Sequence, residues 1–363
     1  MITQFTAEHD ALRASVRGFL TARNTDAEIK RLADTESGFN PHTWQELAQL
    51  GVPGLLIDEE FGGSGASFVE LAIVLEEAGA ALLPAPLLST ALLSALLLSE
   101  AADSEAKADY LPRIATGDLT AAVCLSDATG RVTAAPSGGA WALTGTSSYV
   151  IDGASAGLLL VVAAAPDGAC VFAVDGDTQG VERTALVTLD LARKQARIGF
   201  GEAPARLIAD AATTARILPR LHDLAATGLA VEQVGGMQRL LDMAVGYAQQ
   251  RVQFGRAIGS FQAVKHRCAD MLIRLELARS AAYHAVWAAV NAPEELPSAA
   301  ALAKSYCSDA YYDLARANIL VHGGIGFTWE HPAHLYYRRA KSDQALFGMP
   351  AEHRERMLAL QGV

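Results

Sequence analysis

Charge, patterned cysteine and long apolar runs are all scarce in this sequence of 363 residues. Charged residues make up 19%, and their balance is acidic, with a formal net charge of −11. A general nucleic-acid binder needs a basic surface to displace counterions, so that class is set aside and only a local basic site stays open. The four cysteines, Cys124, Cys170, Cys268 and Cys307, form no CxxC or CxxH pair. Such scatter argues against a zinc site or a disulfide framework and for buried free thiols. Hydrophobic residues reach 51%, yet much of the excess is alanine spread through amphipathic patterns. The most apolar stretch, Leu82 to Leu98, contains Pro84 and Pro86. It falls short of the roughly 18 uninterrupted apolar residues that a spanning helix needs. Met1 to Asp10 is polar and acidic where a secretory leader would be basic and then apolar. The expectation is a cytoplasmic protein with no membrane span, no metal and no nucleic-acid partner.

What is present changes texture twice along the chain. Residues 1–118 show helical spacing over Glu8 to Thr21, Pro41 to Leu50, Ser67 to Ala81, Pro86 to Ser99 and Ser104 to Ala115. Residues 119–210 switch to short runs such as AAVCLSD, AWALTGTSSYVIDG, GLLLVVAA, ACVFAVD and RKQARIGF, separated by Gly, Pro and Asp. Residues 211–363 return to helices over Arg220 to Gln249, Val264 to Val290 and Ser298 to His322. The pattern predicts an α+β, mainly α chain: a helical domain, a small barrel or sandwich, and a helical bundle.

Two stretches carry candidate chemistry. Arg251-Val-Gln-Phe-Gly-Arg-Ala-Ile-Gly-Ser-Phe-Gln262 lies between two long helices. Its Gly255 and Gly259 allow a tight turn, and Arg251 and Arg256 supply the planar fork that suits a pyrophosphate. The alternative is an ordinary connection with solvated arginines. His322-Gly-Gly-Ile-Gly-Phe-Thr-Trp-Glu-His331 also follows a helix. Its glycines let backbone approach a ligand or another chain closely, or simply stop the helix. It is neither a GxGxxG after a strand nor a P-loop.

Together these stretches resemble the acyl-CoA dehydrogenase family. The hallmark RxQFGxxIGxFQ appears as RVQFGRAIGSFQ, and GGxGFxxE as GGIGFTWE followed by HLYYRRAK. EEFGGSGASFVELAIVLEEAG and LTGTSSYVIDGASAG match two earlier family segments, in the right order. The resemblance implies the acyl-CoA dehydrogenase fold: an N-terminal helical domain, a middle β-barrel-like domain and a C-terminal four-helix bundle. It also implies FAD as cofactor and removal of hydrogens from Cα and Cβ of an acyl-CoA, to give the 2-enoyl-CoA. Mapped residue by residue, Arg251, Phe254 and Gln262 fall on FAD-contacting positions, and Ser126 at the hydroxyl near the flavin ring. Gly323 and Gly324 fall where backbone meets the cofactor of a neighbouring subunit, so the two stretches would reach one cofactor from two chains.

The departures from the family pattern are as informative. Many members carry the catalytic carboxylate shortly after the RxAK element, where this chain has Phe347 and Gly348. Others carry it on the preceding long helix, where the register puts Ala225. One acid remains on that helix, Glu232, seven residues on and about 10 Å along the axis. It reads either as a displaced base or as a carboxylate bonded to a neighbouring helix. Glu330 reads as a motif acid and Glu352 as a solvated helix residue. The flavin-side Trp is Tyr149, the Thr two positions later is Ile151, and a cofactor-contacting Gln is Leu320. The FGRxIGSFQAVKH and HGGIGFTWEH wording resembles actinobacterial steroid-degrading acyl-CoA dehydrogenases, which implies an α2β2 heterotetramer with a second dehydrogenase-like subunit. A bulky, steroid-derived acyl-CoA substrate and an electron-transferring flavoprotein or similar acceptor follow from the same resemblance. The other readings are a homotetramer using Glu232, an inert structural or cofactor-holding subunit, and an oxygen-using flavin hydroxylase on the same fold.

Overall fold

The computed structural model describes residues 5–125 and 132–362. The helices α1 (Ala7–Arg23), α2 (Asp26–Ala33), α3 (Pro41–Gln49) and α4 (Phe68–Ala81) each start on a side-chain cap. Thr6, Thr25, Asn40 and Ser67 accept bonds from backbone N–H groups two or three residues on, satisfying donors that the first turn leaves free. The eight residues of α2 are too few to show periodicity, and the Thr25 cap followed by Asp26 and Glu28 is the signal that marks it. From Pro86 onward the expected α-helix is a π-helical run, Leu87–Ser94, which continues into α5 (Ala95–Glu100). Ser94 Oγ donates to the carbonyl of Ser89, five residues back, in keeping with that wider register. The helix α6 (Ser104–Ala115) completes this part.

The strands β1 (Ala121–Cys124), β2 (Val132–Ser137), β3 (Ala140–Ile151), β4 (Leu158–Ala165), β5 (Gly168–Asp175), β6 (Val181–Ala185) and β7 (Gln195–Ala209) follow. Antiparallel pairing runs from β2 through β3, β7 and β5 to β4, and β4 meets β2 again at Thr133↔Ala164. The ladder therefore closes on itself as the expected barrel-like unit, with β1 added to β4 and β6 to β7. Both faces of β4 are buried: Leu158, Leu160 and Val162 face the helices, while Leu159 and Val161 face the barrel interior. That is why LLLVV is continuous instead of alternating. β2 and β6 escape the sequence reading because they are largely exposed and carry no apolar run.

The C-terminal helices are α7 (Ala211–Gln250), α8 (Gln262–Asn291), α9 (Leu296–His322), α10 (Ala333–Ala345) and α11 (Pro350–Leu360). α7 begins nine residues before the Arg220 that the sequence predicts, and it runs through Pro219. It packs against α4 at backbone contact. A Cβ on Gly235 would stand 1.8 Å from the Glu76 carbonyl, and one on Gly79 would stand 1.9 Å from the Glu232 carbonyl. Only glycine permits that approach, and it closes the space between the two helices. No helix among the described residues is long and apolar enough to cross a membrane.

Candidate functional site

The RVQFGRAIGSFQ stretch is a β-hairpin, β8 (Val252–Gln253) and β9 (Arg256–Ala257), and not a plain helix–helix connection. Its two turn residues, Phe254 and Gly255, both have positive φ, 54° and 78°, the conformation of a two-residue primed turn. This backbone holds the Phe254 ring 92% exposed at the tip. Arg251 ends α7, is exposed, and pairs with no carboxylate among the described residues. Arg256 lies over the Phe261 ring at 4.2 Å. Gln262 Nε2 meets His266 Nε2 at 2.8 Å on the exposed start of α8.

The glycine-rich stretch ends α9. Gly323 takes φ 67°, and nothing stands within 4 Å of where a Cβ of Gly323 or Gly324 would be. Tyr247, one turn before Arg251, stacks on His322, which precedes Gly323, at 4.4 Å. The hairpin and the glycine turn are therefore neighbours at one end of one chain. The sequence places the two stretches on one cofactor from two chains; within one chain they already stand side by side. Leu320, at the family's Gln position, is exposed on the same end of α9.

The opposite situation holds where the family carries its base. Ala225 is buried against Ile217, Leu221 and the strands. Phe347 has φ 56°, and its ring packs between the helical core and that second core. The loop carrying it is firmly held. His353 Nε2 contacts the Phe347 carbonyl at 2.8 Å, and Lys304 Nζ donates to the carbonyls of Asp343 and Gln344 at 3.0 and 3.3 Å. Tyr149 stands exposed at a bulge of β3, with φ 60°. Ile151 is buried and, with Asp152, Ala192, Arg193 and Glu232, borders a cavity of about 20 Å³, roughly the room of one water. Burial pushes the Asp152 carboxyl up to about 6, even though Ser89 Oγ donates to it at 2.6 Å.

Glu232 is 6% exposed, and its Oε1 accepts from both Arg193 and Arg339. Arg193 also pairs with Asp343 at 2.6 Å, and Arg339 with Asp190. These five charged residues knit α7 and α10 to the loop before β7. A carboxylate committed to two buried guanidinium groups cannot swing toward a substrate carbon near Ala225, so the geometry disfavours Glu232 as a displaced base. The sequence reading missed the rest of this cluster. Arg339 lies in the quoted HLYYRRAK element, but no spacing rule ties it to Asp190 or Arg193. Ser126 lies outside the described residues. Glu330 is exposed, and Glu352 accepts from the Met349 N–H as the cap of α11. A larger cavity, about 860 Å³, lies elsewhere, between α1, α4, α7, α8 and α10. It contains none of the expected site residues.

The open end suits the pyrophosphate-bearing part of FAD: a free guanidinium, an exposed phenyl ring, and a turn where backbone can meet a ligand. Beside Ile151 the interior leaves a cavity the size of one water, whereas Tyr149 at the flavin-side position is exposed.

Residues 6–118 match the acyl-CoA dehydrogenase N-terminal domain, and residues 222–359 the acyl-CoA dehydrogenase C-terminal domain. The acyl-CoA dehydrogenase IpdE2 of Mycolicibacterium smegmatis is 32% identical, over 97% of this chain and 98% of that one. FadE34 of Mycobacterium tuberculosis is 37% identical over 99% of this chain, which spans only 49% of FadE34. Among solved structures, the ChsE4-ChsE5 complex from Mycobacterium tuberculosis aligns with TM-score 0.92 at 29% identity, covering 100% of this chain and 99% of that one. The Tcur3481-Tcur3483 steroid ACAD variant aligns with TM-score 0.89 at 30% identity, covering 98% of each chain.

Proposed function

Because the chain belongs to the acyl-CoA dehydrogenase family, we propose that it acts as one subunit of a heteromeric FAD-dependent enzyme. It lends the nucleotide half of an FAD site, while a partner chain of the same fold supplies the flavin cleft, the acyl pocket and the catalytic carboxylate. Bound FAD supplies the hydride acceptor for dehydrogenation of the acyl thioester. This chain's own part is to hold the pyrophosphate through Arg251, to cover the nucleotide with Phe254 and Gln262, and to present the backbone of Gly323 and Gly324.

The observation that carries this reading is the contrast at the two candidate positions for the base. Ala225 is buried hydrocarbon and Phe347 a half-buried ring packed against two cores, whereas the hairpin and glycine turn stand open. A loop built to present a carboxylate is kept, and its side chain has become packing. Two relatives add weight: ChsE4-ChsE5 is a complex of two chains, and FadE34 is long enough to hold a second unit of this size. The outer face of α8, with Leu272, Ile273 and Leu277 exposed, is the kind of apolar patch that another chain covers. A bulky, steroid-derived acyl-CoA as substrate and an electron-transferring flavoprotein as acceptor complete the proposal.

The test is expression of this chain alone and together with a second dehydrogenase-like chain from the same genome, followed by mass, flavin stoichiometry and an acyl-CoA assay. The expected result is a mixed tetramer holding about half the flavin of a homotetramer. Alone, the chain should fall short by about 10²–10⁴ in rate, the usual worth of a positioned base. A homotetramer with one FAD per chain and full activity by itself would sink the proposal.

A further inference from the structure

Between the hairpin and the glycine turn stands a column of three rings. Tyr247 of α7 stacks on His322 of α9 at 4.4 Å, and His322 meets His331 at 4.3 Å across the turn that separates them. Each ring is tied to a backbone element of the open site. The Tyr247 carbonyl accepts the N–H of Arg251 at 2.8 Å, which begins the hairpin. His322 sits directly before Gly323, and His331 two residues before α10. We propose that this column is a positioning device: it fixes the Arg251 hairpin against the Gly323–Gly324 turn for a pyrophosphate-bearing nucleotide, and it does so only while both imidazoles are neutral. The inference rests on the cofactor-holding role proposed above and deepens it.

The hydrogen bonds fix both tautomers. His322 Nδ1 faces the Asn318 carbonyl at 2.8 Å; a carbonyl only accepts, so Nδ1 carries the proton. His331 Nδ1 faces the Ala333 N–H at 3.2 Å; a backbone N–H only donates, so that Nδ1 is bare. Protonating His331 destroys the acceptor that ties the start of α10 to the turn. Protonating His322 places a charge on a ring that is 5% exposed and pressed between two others. With both charged, two cations stand at stacking distance, a like-charge pair with little water to screen it.

The surroundings make the pair no easier to charge. Asp26 and Lys30 of α2 and His334 and Arg338 of α10 face His331 and its neighbours, and Lys30 Nζ is bound to the Trp329 carbonyl. At His331 the Asp26 carboxylate is thus opposed by one permanent cation, Lys30, while Arg338 bears on His334. Burial, and then the neighbouring His322, pull His331 below the ordinary imidazole value, and burial pulls His322 the same way. An opened column therefore binds protons more readily than the closed one. The closed column is fully favoured above about pH 6.5, the ordinary imidazole value. It is lost progressively as pH falls below that, toward the lowered values.

The experiment measures binding of ADP and of FAD to the isolated full chain from pH 7.5 to 5.5 by calorimetry, with histidine ring NMR on the same samples. Wild-type affinity should fall on acidification while the signals of His322 and His331 move together. His331→Ala, which removes a ring, should bind roughly two- to tenfold more weakly at pH 7.5, the range that an aromatic pair is worth. His331→Phe keeps a ring that cannot take a proton and should flatten the pH profile. A profile in His331→Phe as steep as wild type, or unweakened binding by His331→Ala, would overturn the column's role with the cofactor reading intact. No binding of either nucleotide at pH 7.5, by the isolated chain or through it in the mixed complex, would overturn the cofactor-holding role itself, and this inference with it.

Discussion

The middle and the C-terminal end of α7 face opposite fates. Its middle, around Ala225 and Glu232, is sealed: α4 meets it at backbone contact, Phe347 fills the base position, and two arginines are spent on Glu232. Its C-terminal end opens into an arginine unpaired among the described residues, an exposed ring and a bare glycine turn. In a shared site the two halves answer to different constraints. Once a partner carries the chemistry, the cleft of this chain is free to become core, and core favours close packing and paired charge. On the proposed division of labour the nucleotide half cannot follow, because what it would contact lies outside the chain.

The sharpest way to break this comparison is Glu232→Ala. Removing the shared carboxylate leaves Arg193 and Arg339 buried with one partner each, and should cost about 3–5 kcal/mol of stability by urea unfolding. A loss of less than about 1 kcal/mol would mean that the cleft is not held by ions and could open to a ligand. At the open end, Arg251→Ala should weaken FAD retention by the mixed complex by about 1.5–3 kcal/mol, the worth of a charge-assisted bond. Its unfolding midpoint should stay at the wild-type value; undiminished flavin absorbance after gel filtration would count against the assignment. Gly235→Ala pushes a methyl into the Glu76 carbonyl, and overpacking of this kind should cost about 1–3 kcal/mol. Calorimetric melting of the isolated chain reads it, and an unchanged midpoint would show that α4 and α7 can part. The smallest effect belongs to Phe254→Ala. Stability should change by no more than about 0.5 kcal/mol, while capture of the partner chain or nucleotide falls. If stability drops instead, the ring packs within this subunit and is not free for another.

Much of this was legible in residue order. Helical spacing and short apolar runs marked most of the helices and the long strands, and the two motif stretches marked the open end. Both inert base positions could be read by register alone, since Phe347 and Ala225 stand at fixed distances from their motifs. What was not legible follows from range. α2 and the strands β2 and β6 are too short or too exposed for periodicity to show. The hairpin between α7 and α8 needs Phe254 in a left-handed conformation, which no propensity rule would assign to an aromatic residue.

The sequence by itself determined the order of elements, the apolar residues at Ala225 and Phe347 and the wording of the two motif stretches, because each is a local pattern. Tertiary structure alone decided what became of Glu232. Its fate depended on Arg193, 39 residues away, and on Arg339, 107 residues away, and pairings at that separation are set by how α7, α10 and the loop before β7 pack. The same holds for the open end. Tyr247 and His322 stand 75 residues apart in the chain, and only the packing of α7 against α9 makes one surface of two motifs.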